Sequence, residues 1–371
     1  MSSPIDTLRW TARDLAEIGQ IPRAAAAPFT ASDVVRFAPW LDVWDAWPLA
    51  DTSGNSVSWQ GGELWFALAA PALDDPEWRH GTARIHHFHR FGDQFRHLGQ
   101  TLPPALSPGS REWSGSAVLA AGAVTLYFTA TGAAGEARPT FGQRIFAATA
   151  TLRAGDEPFA DWTCPREVVR ADGVHYRLAD EVDGVPGQIK AFRDPAPFCS
   201  DDGSEYLLFT GSSAAQPGSH DGVIGLARKR DDGSFAPLAP LVEARGVNNE
   251  LERPHIVRHS GLLYLFWSTQ RGVFAPGIVA PTGLYGAVAE TIEGPWKLLN
   301  GHGLVFSNPP ERPTQAYSWW VLGDLSVTSF VDYWLMELGA DAAADRRRRF
   351  GGTFAPFAAI VLEGVKARLV S

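Results

Sequence analysis

Three short segments hold acidic residues in company that an ordinary surface loop seldom offers. Asp45 lies in APWLDVWDAWPLA between Trp44 and Trp47, with Pro48 following. Asp194 lies in AFRDPAPF directly after Arg193, and Glu252 lies in NNELERPHIV, two residues after Glu250 and directly before Arg253. Cleavage of a glycosidic bond needs one carboxyl held ionised beside the anomeric carbon and a second kept protonated until it meets the leaving oxygen. The chain carries 41 acidic residues, so only neighbours that stack on a sugar or push two pKa values apart single any of them out. On a loop, Trp44 and Trp47 would be exposed together with Asp45. The alternative is a turn cap with both rings in the core, a role that suits Asp42 better. Arg193 offers a planar fork of donors and keeps a neighbouring Asp ionised, although RDP is also a common turn. On a strand, Glu250 and Glu252 share a face. They repel unless one is protonated or a cation intervenes, and that is how a proton donor near neutral pH is built. A solvated edge strand would show the same letters.

Residues so far apart need a scaffold that brings strands together from the whole chain. After an opening segment with one or two helical turns (11–19), a Gly-bounded turn leads repeatedly into an apolar, aromatic strand: GELWFALAA from Gly62, GAVTLYFTATG from Gly122, GSEYLLFTGSS from Gly203 and GLLYLFWSTQ from Gly261. A second strand follows each one: TARIHHFHRF, QRIFAATATL, GVIGLARKR and GLYGAVAET. A fifth copy fits SVTSFVDYWL and GGTFAPFAAIVLEG. Starting points 60, 81 and 58 residues apart describe four-stranded units with variable loops. Five such sheets arranged radially predict an all-β, single-domain, five-bladed β-propeller over 37–371, with a partly helical segment 1–36 packed on it. A β-sandwich is the other all-β solution, but the strand count is high for one. The inner strands of a propeller line a central channel, where a pocket would form.

Composition agrees with β structure: 37 Gly, 27 Pro and 14 Trp in 371 residues, with 45% hydrophobic content. A net charge of -9 argues against nucleic acid. The run Arg346 to Arg349, after DAAAD, is expected to form a solvated face. No apolar stretch reaches the ~20 residues of a membrane span, and the first twenty residues lack the pattern of a secretory signal. A soluble, cytoplasmic protein is expected. Cys164 and Cys199 are expected to be buried free thiols. In ARIHHFHRF, His87 and His89 share a face without a third metal ligand nearby, which points to a structural or sugar-facing role.

In sequence order, VWDAWPL, REWSGSA, FRDP, NELERPH and QAYSWWV resemble segments of glycoside hydrolase family 68, the levansucrases, inulosucrases and β-fructofuranosidases. The resemblance runs from about Phe37 to about Val321, and VWDxWPL followed by EWSGSA is its specific part. It implies a five-bladed propeller that cleaves sucrose with retention through a fructosyl-enzyme intermediate. Asp45 resembles the nucleophile, Glu252 the general acid/base and Asp194 the transition-state stabiliser. Trp44, Trp113, Ser114 and Arg193 match residues around the fructosyl unit; Glu250, Arg253 and Tyr317 match residues that hold the glucosyl unit or orient the acid/base. In FWSTQRGVF, Gln270, or Arg271 with a one-residue shift, falls where polymer-forming members carry Arg or His. The expected outcome is sucrose hydrolysis with transfer to oligosaccharides, with levan synthesis as the alternative and a non-catalytic carbohydrate-binding propeller as the more distant one. Some relatives bind calcium through an Asp where this chain has Asn249, a weaker ligand for a hard cation, so neither metal nor cofactor is expected. The expected partners are small sugars alone.

Overall fold

Alternating apolar residues and glycine-rich turns build strands in groups of four, and the groups close into a ring. The computed structural model describes residues 4–19, 24–185, 187–215, 218–335 and 342–370. It is a five-bladed β-propeller. The innermost strands, in order of blade, are Leu41–Ala50, Arg111–Ala120, Phe192–Cys199, Glu252–His259 and Ala316–Val321. Each pairs antiparallel with a second strand: Gly62–Pro71, Ala123–Thr131, Glu205–Ser212, Leu262–Thr269 and Ser326–Tyr333. Third and outer strands follow, the last blade finishing with Ala358–Glu363 and Lys366–Leu369. Blades 1 and 2 also join through a short parallel ladder, Leu49 with Ala117 and Ala50 with Val118.

The strands that the turn pattern marks as first are therefore the second of each blade. The true inner strands carry the acidic and aromatic motifs. They escape a search for alternation because each is kinked by a bulge: the register shifts between Trp44 and Trp47, Trp113 and Gly115, Arg193 and Ala196, Glu252 and His255, and Tyr317 and Trp320. A bulge inserts an extra residue and re-aims side chains. At four of the five, a non-glycine residue takes left-handed backbone: Asp45 (φ 50), Asp194 (φ 59), Arg253 (φ 57) and Ser318 (φ 59). That conformation is uncommon outside glycine and clusters where function holds it in place.

The core lies between blades. Trp47, Phe66, Phe128, Tyr264 and Phe266 are fully buried in its largest cluster. The first residues strap onto blades 3 and 4. Leu8–Arg9 adds a parallel strand beside Val242 and Glu243, and the helix Ala12–Ile18 starts from a capping box of Thr11 and Asp14. Trp10 is buried against Trp267, Phe274 and Tyr285, and its indole donates to the His302 carbonyl at 3.1 Å.

The arginine run departs from expectation. It forms the helix Ala343–Arg349, and two of its members reach back to blade 1 rather than to solvent. Arg347 grips both oxygens of the fully buried Asp42 at 2.7 and 2.9 Å, and Arg346 pairs with Asp75. Burial leaves the Asp42 carboxylate no water, and the closure between last and first blades supplies it with a cation besides Arg36. Asp341 of the preceding DAAAD lies outside the described residues. Both cysteines are free, but Cys164 is exposed on a loop, and Cys199 is half-buried because it ends the inner strand of blade 3, where the strand runs out of the core. His87 packs on Phe159 and His89 on Trp59, away from the channel. Among the described residues, no helix is long and apolar enough to cross a membrane.

Candidate active site

The five bulges lie at one height around the propeller axis, so that pairs of consecutive residues from every inner strand meet: Trp44-Asp45, Trp113-Ser114, Arg193-Asp194, Glu252-Arg253 and Tyr317-Ser318. They bound a cavity of about 290 Å³. Eight of these ten side chains line it; Arg253 and Ser318 do not. Pro48, Ala50 and Trp320, further along their strands, line a separate cavity at the opposite mouth.

Asp45 accepts a hydrogen bond from the Ser114 hydroxyl at 2.5 Å. Burial pushes its pKa up, while the Arg253 cation and the Ser114 and Ser318 hydroxyls pull it back towards ionisation. Arg253 works from beneath. Its guanidinium donates to the carbonyls of Asp45 (3.3 Å) and Ala46 (3.0 Å), and lies between the rings of Trp47 and Trp320, 5.0 and 4.8 Å from their centroids. Arg253, expected to hold the glucosyl unit or to orient the acid/base, is thus not among the residues that line the cavity. The left-handed turn of backbone sends its side chain under the floor while Glu252 faces the cavity.

Asp194 accepts from the Thr210 hydroxyl at 2.9 Å and from the Arg253 amide at 3.3 Å. Burial lifts its carboxyl to about 6, against the pull of Arg193. Glu252 is held at both oxygens: Arg193 Nη2 donates to Oε1 at 2.9 Å, and the Tyr317 hydroxyl donates to Oε2. The same Nη2 lies 2.9 Å from Glu250 Oε1, so Arg193 is the cation between the two glutamates. Burial pushes Glu250 up to about 7, against that arginine. Burial would loosen the proton of Arg193, but Glu250, Glu252 and Asp194 outweigh it and hold the guanidinium firmly charged.

Gln270 lines the cavity, whereas Arg271 opens the short turn Arg271–Val273 at the surface and is not among the lining residues. Asn249 accepts from the buried Lys190 ammonium at 2.8 Å, which also meets Asp221 at 2.7 Å. A covalently attached cation thus sits among these oxygens. Among the described residues no cluster of His, Cys, Asp or Glu is arranged to hold a metal.

Sequence reasoning missed the wall where the ring closes. Glu77, Arg79 and His80, from the turn Pro76–Gly81, and Asp332 and Tyr333, from blade 5, line the cavity as well. PEWRH, a run of charged and aromatic residues between two strands, and a lone Asp ending the apolar strand SVTSFVDY were the available signals.

An axial cavity that gathers Asp45, Asp194 and Glu252 among six carboxyl groups, with arginine and hydroxyl partners beside them, is the arrangement of a glycoside-cleaving propeller. The family model described as Levansucrase/Invertase matches residues 2–223 and 220–370. A levansucrase, LscC, of Pseudomonas savastanoi pv. glycinea is 31% identical over 96% of this chain and 89% of its own. The levansucrase of Zymomonas mobilis is 32% identical over 96% and 88%. The inulosucrase from Halalkalicoccus jeotgali, solved bound to kestose, superposes with a TM-score of 0.89 at 32% identity, covering 98% of this chain and 95% of that one. The chain belongs to glycoside hydrolase family 68, and it is a glycosidase of the fructosyl-transferring kind.

Proposed function

We propose that the enzyme cleaves sucrose, carries the fructosyl unit on Asp45, and delivers it to water and to sugar hydroxyls. The observation that carries this reading is the meeting of Asp45, Asp194 and Glu252 in one cavity, with Glu252 clamped between Arg193 and Tyr317. Asp45 attacks the anomeric carbon while Glu252 gives its proton to the departing glucose oxygen. The same Glu252, now a base, takes the proton of the incoming hydroxyl as the ester to Asp45 breaks, so two inversions give net retention. The Ser114 hydroxyl and the field of Arg253 favour the ionised Asp45 that attack requires. Asp194 beside them supplies a negative charge for the oxocarbenium-like transition state. Trp44 and Trp113 offer ring faces and edges to the sugar, and Glu250 and Gln270 offer polar groups to the glucosyl side.

Levan as the product is the second reading, favoured by the levansucrases among the relatives. Incubation with sucrose, raffinose and levan, followed by separation of free sugars, oligosaccharides and polymer, decides between them. Asp45→Asn should end glucose release from sucrose while circular dichroism and melting stay as in the parent. Intact sucrose under all conditions in the parent protein would sink the proposal.

A further inference from the structure

Asp332 lines the axial cavity and takes no part in the steps above. It stands near the end of the second strand of blade 5, its amide donating to the Gln315 carbonyl at 2.9 Å. The Tyr333 backbone amide helps to hold the Asp332 carboxyl, but its Oδ1 is buried without a hydrogen-bond partner among the described residues. A buried acceptor left unpaired is costly and rare, and calls for an explanation. A ligand that completes the site supplies one.

The surroundings say what that ligand is. Arg79 and Glu77 face Asp332 from the turn Pro76–Gly81, Asp45 from the inner strand of blade 1, and Tyr333 from its own strand. The Tyr333 hydroxyl donates to Glu77, and Glu77 pairs with Arg79 at 3.1 Å. A carboxyl, a carboxylate and a phenol thus form one edge of the cavity. The Glu77 side chain is 44% exposed, against 3% for Trp44, so this edge borders the mouth and Trp44 the depth. Burial pushes Asp332 up to about 7, against the pull of Arg79. Near neutrality it keeps both a proton to donate and an oxygen to accept, the pair that a hydroxyl satisfies.

We infer that Asp332, with Glu77 and Tyr333 beside it, binds hydroxyl groups of the acceptor sugar, and so sets the share of turnovers that end in transfer rather than hydrolysis. The inference rests on the fructosyl-transfer reading. In the transfer step an acceptor oxygen bonds the anomeric carbon as the ester bond to Asp45 breaks, and the acceptor's proton passes to Glu252. Asp332 holds a neighbouring hydroxyl and exchanges nothing. Water has no second hydroxyl for this edge to grip, so only sugar acceptors gain from it.

The test is the ratio of free fructose to free glucose released from sucrose, which corrects for any change in total cleavage. Parent enzyme is expected to give a ratio below one. Asp332→Ala should move it towards one, with the transferred share falling roughly fivefold, the worth of one net hydrogen bond. Asp332→Asn keeps a donor and an acceptor, so its share should stay nearer the parent's. It should also be flat with pH, whereas the parent's falls as pH rises through about 7. A ratio of one in the parent would overturn the inference and leave sucrose cleavage standing. So would an unchanged ratio in Asp332→Ala, or the loss of all glucose release in both variants when they are folded. Absence of glucose release from the parent would overturn the fructosyl-transfer reading itself, and the inference with it.

Discussion

Tyr317→Phe removes one oxygen atom from the clamp on the acid/base and little else. The Tyr317 ring is buried, 7% exposed, edge-on to Trp319 with centroids 6.2 Å apart, and Phe fills the same space. Burial and the field of Glu252 push the phenol's pKa well up, so the hydroxyl is protonated and donates to Glu252 Oε2. Arg193 still holds Oε1 at 2.9 Å, so Glu252 loses orientation at one oxygen only. As Glu252 gives up its proton in the transition state, the bond becomes one to a charged group, worth about 1.5–3 kcal/mol, and kcat/KM on sucrose should fall roughly 10- to 100-fold. Glucose release measured by a coupled assay reads this directly. β-Fructosyl fluoride separates the causes, because its leaving group needs no proton. On that donor the loss in kcat/KM should shrink to about threefold or less if the hydroxyl serves proton transfer. An equal loss on both donors would refute the role assigned to the clamp, as would a loss below about twofold on sucrose.

Two further outcomes follow from other parts of the structure. The Asp194 carboxyl, lifted to about 6 by burial, must be ionised to stabilise a cationic transition state. kcat/KM should therefore fall as pH drops through about 6, up to tenfold per further unit. Stability runs the other way: its contribution is fully present below the unfolded-state value and is lost as pH rises through about 6. Opposite slopes of activity and urea-unfolding free energy across pH 4 to 7 check the pair. Arg347→Ala should cost about 2 kcal/mol by leaving the buried Asp42 with Arg36 as a lone partner at 3.1 Å. Equilibrium urea unfolding measures it, and kcat on sucrose should change little, because Asp42 is not in the cavity.

Much of the site is legible in the sequence because the same bulged inner strand occurs five times. Each copy puts a large side chain and a small or charged one in succession, and the pairs at Trp44, Trp113, Arg193, Glu252 and Tyr317 stand out against turn-bounded apolar strands. The roles of Asp45, Asp194 and Glu252 remain readings of chemistry and resemblance, for which their meeting in one cavity is the support. The outer strands, with their alternation and glycine turns, are equally plain, and hence so is the five-bladed ring.

What local pattern does not carry is direction and closure. Glu252 and Arg253 are neighbours in sequence, but left-handed backbone at Arg253 (φ 57) sends one into the cavity and the other beneath it. No periodicity encodes that. Gln270 and Arg271 are likewise neighbours, yet only Gln270 lines the cavity, while Arg271 opens the turn Arg271–Val273. The wall of Glu77, Asp332 and Tyr333, and the grip of Arg347 on Asp42, join the first blade to the last. Their partners lie hundreds of residues apart and meet only when the ring shuts. The sequence by itself determined the strands, the bulged motifs and the three carboxyl groups of interest, since these follow from local composition. Which neighbours each carboxyl titrates against, and where an acceptor would be held, was decided only by tertiary structure, because burial and fields depend on groups that closure brings together.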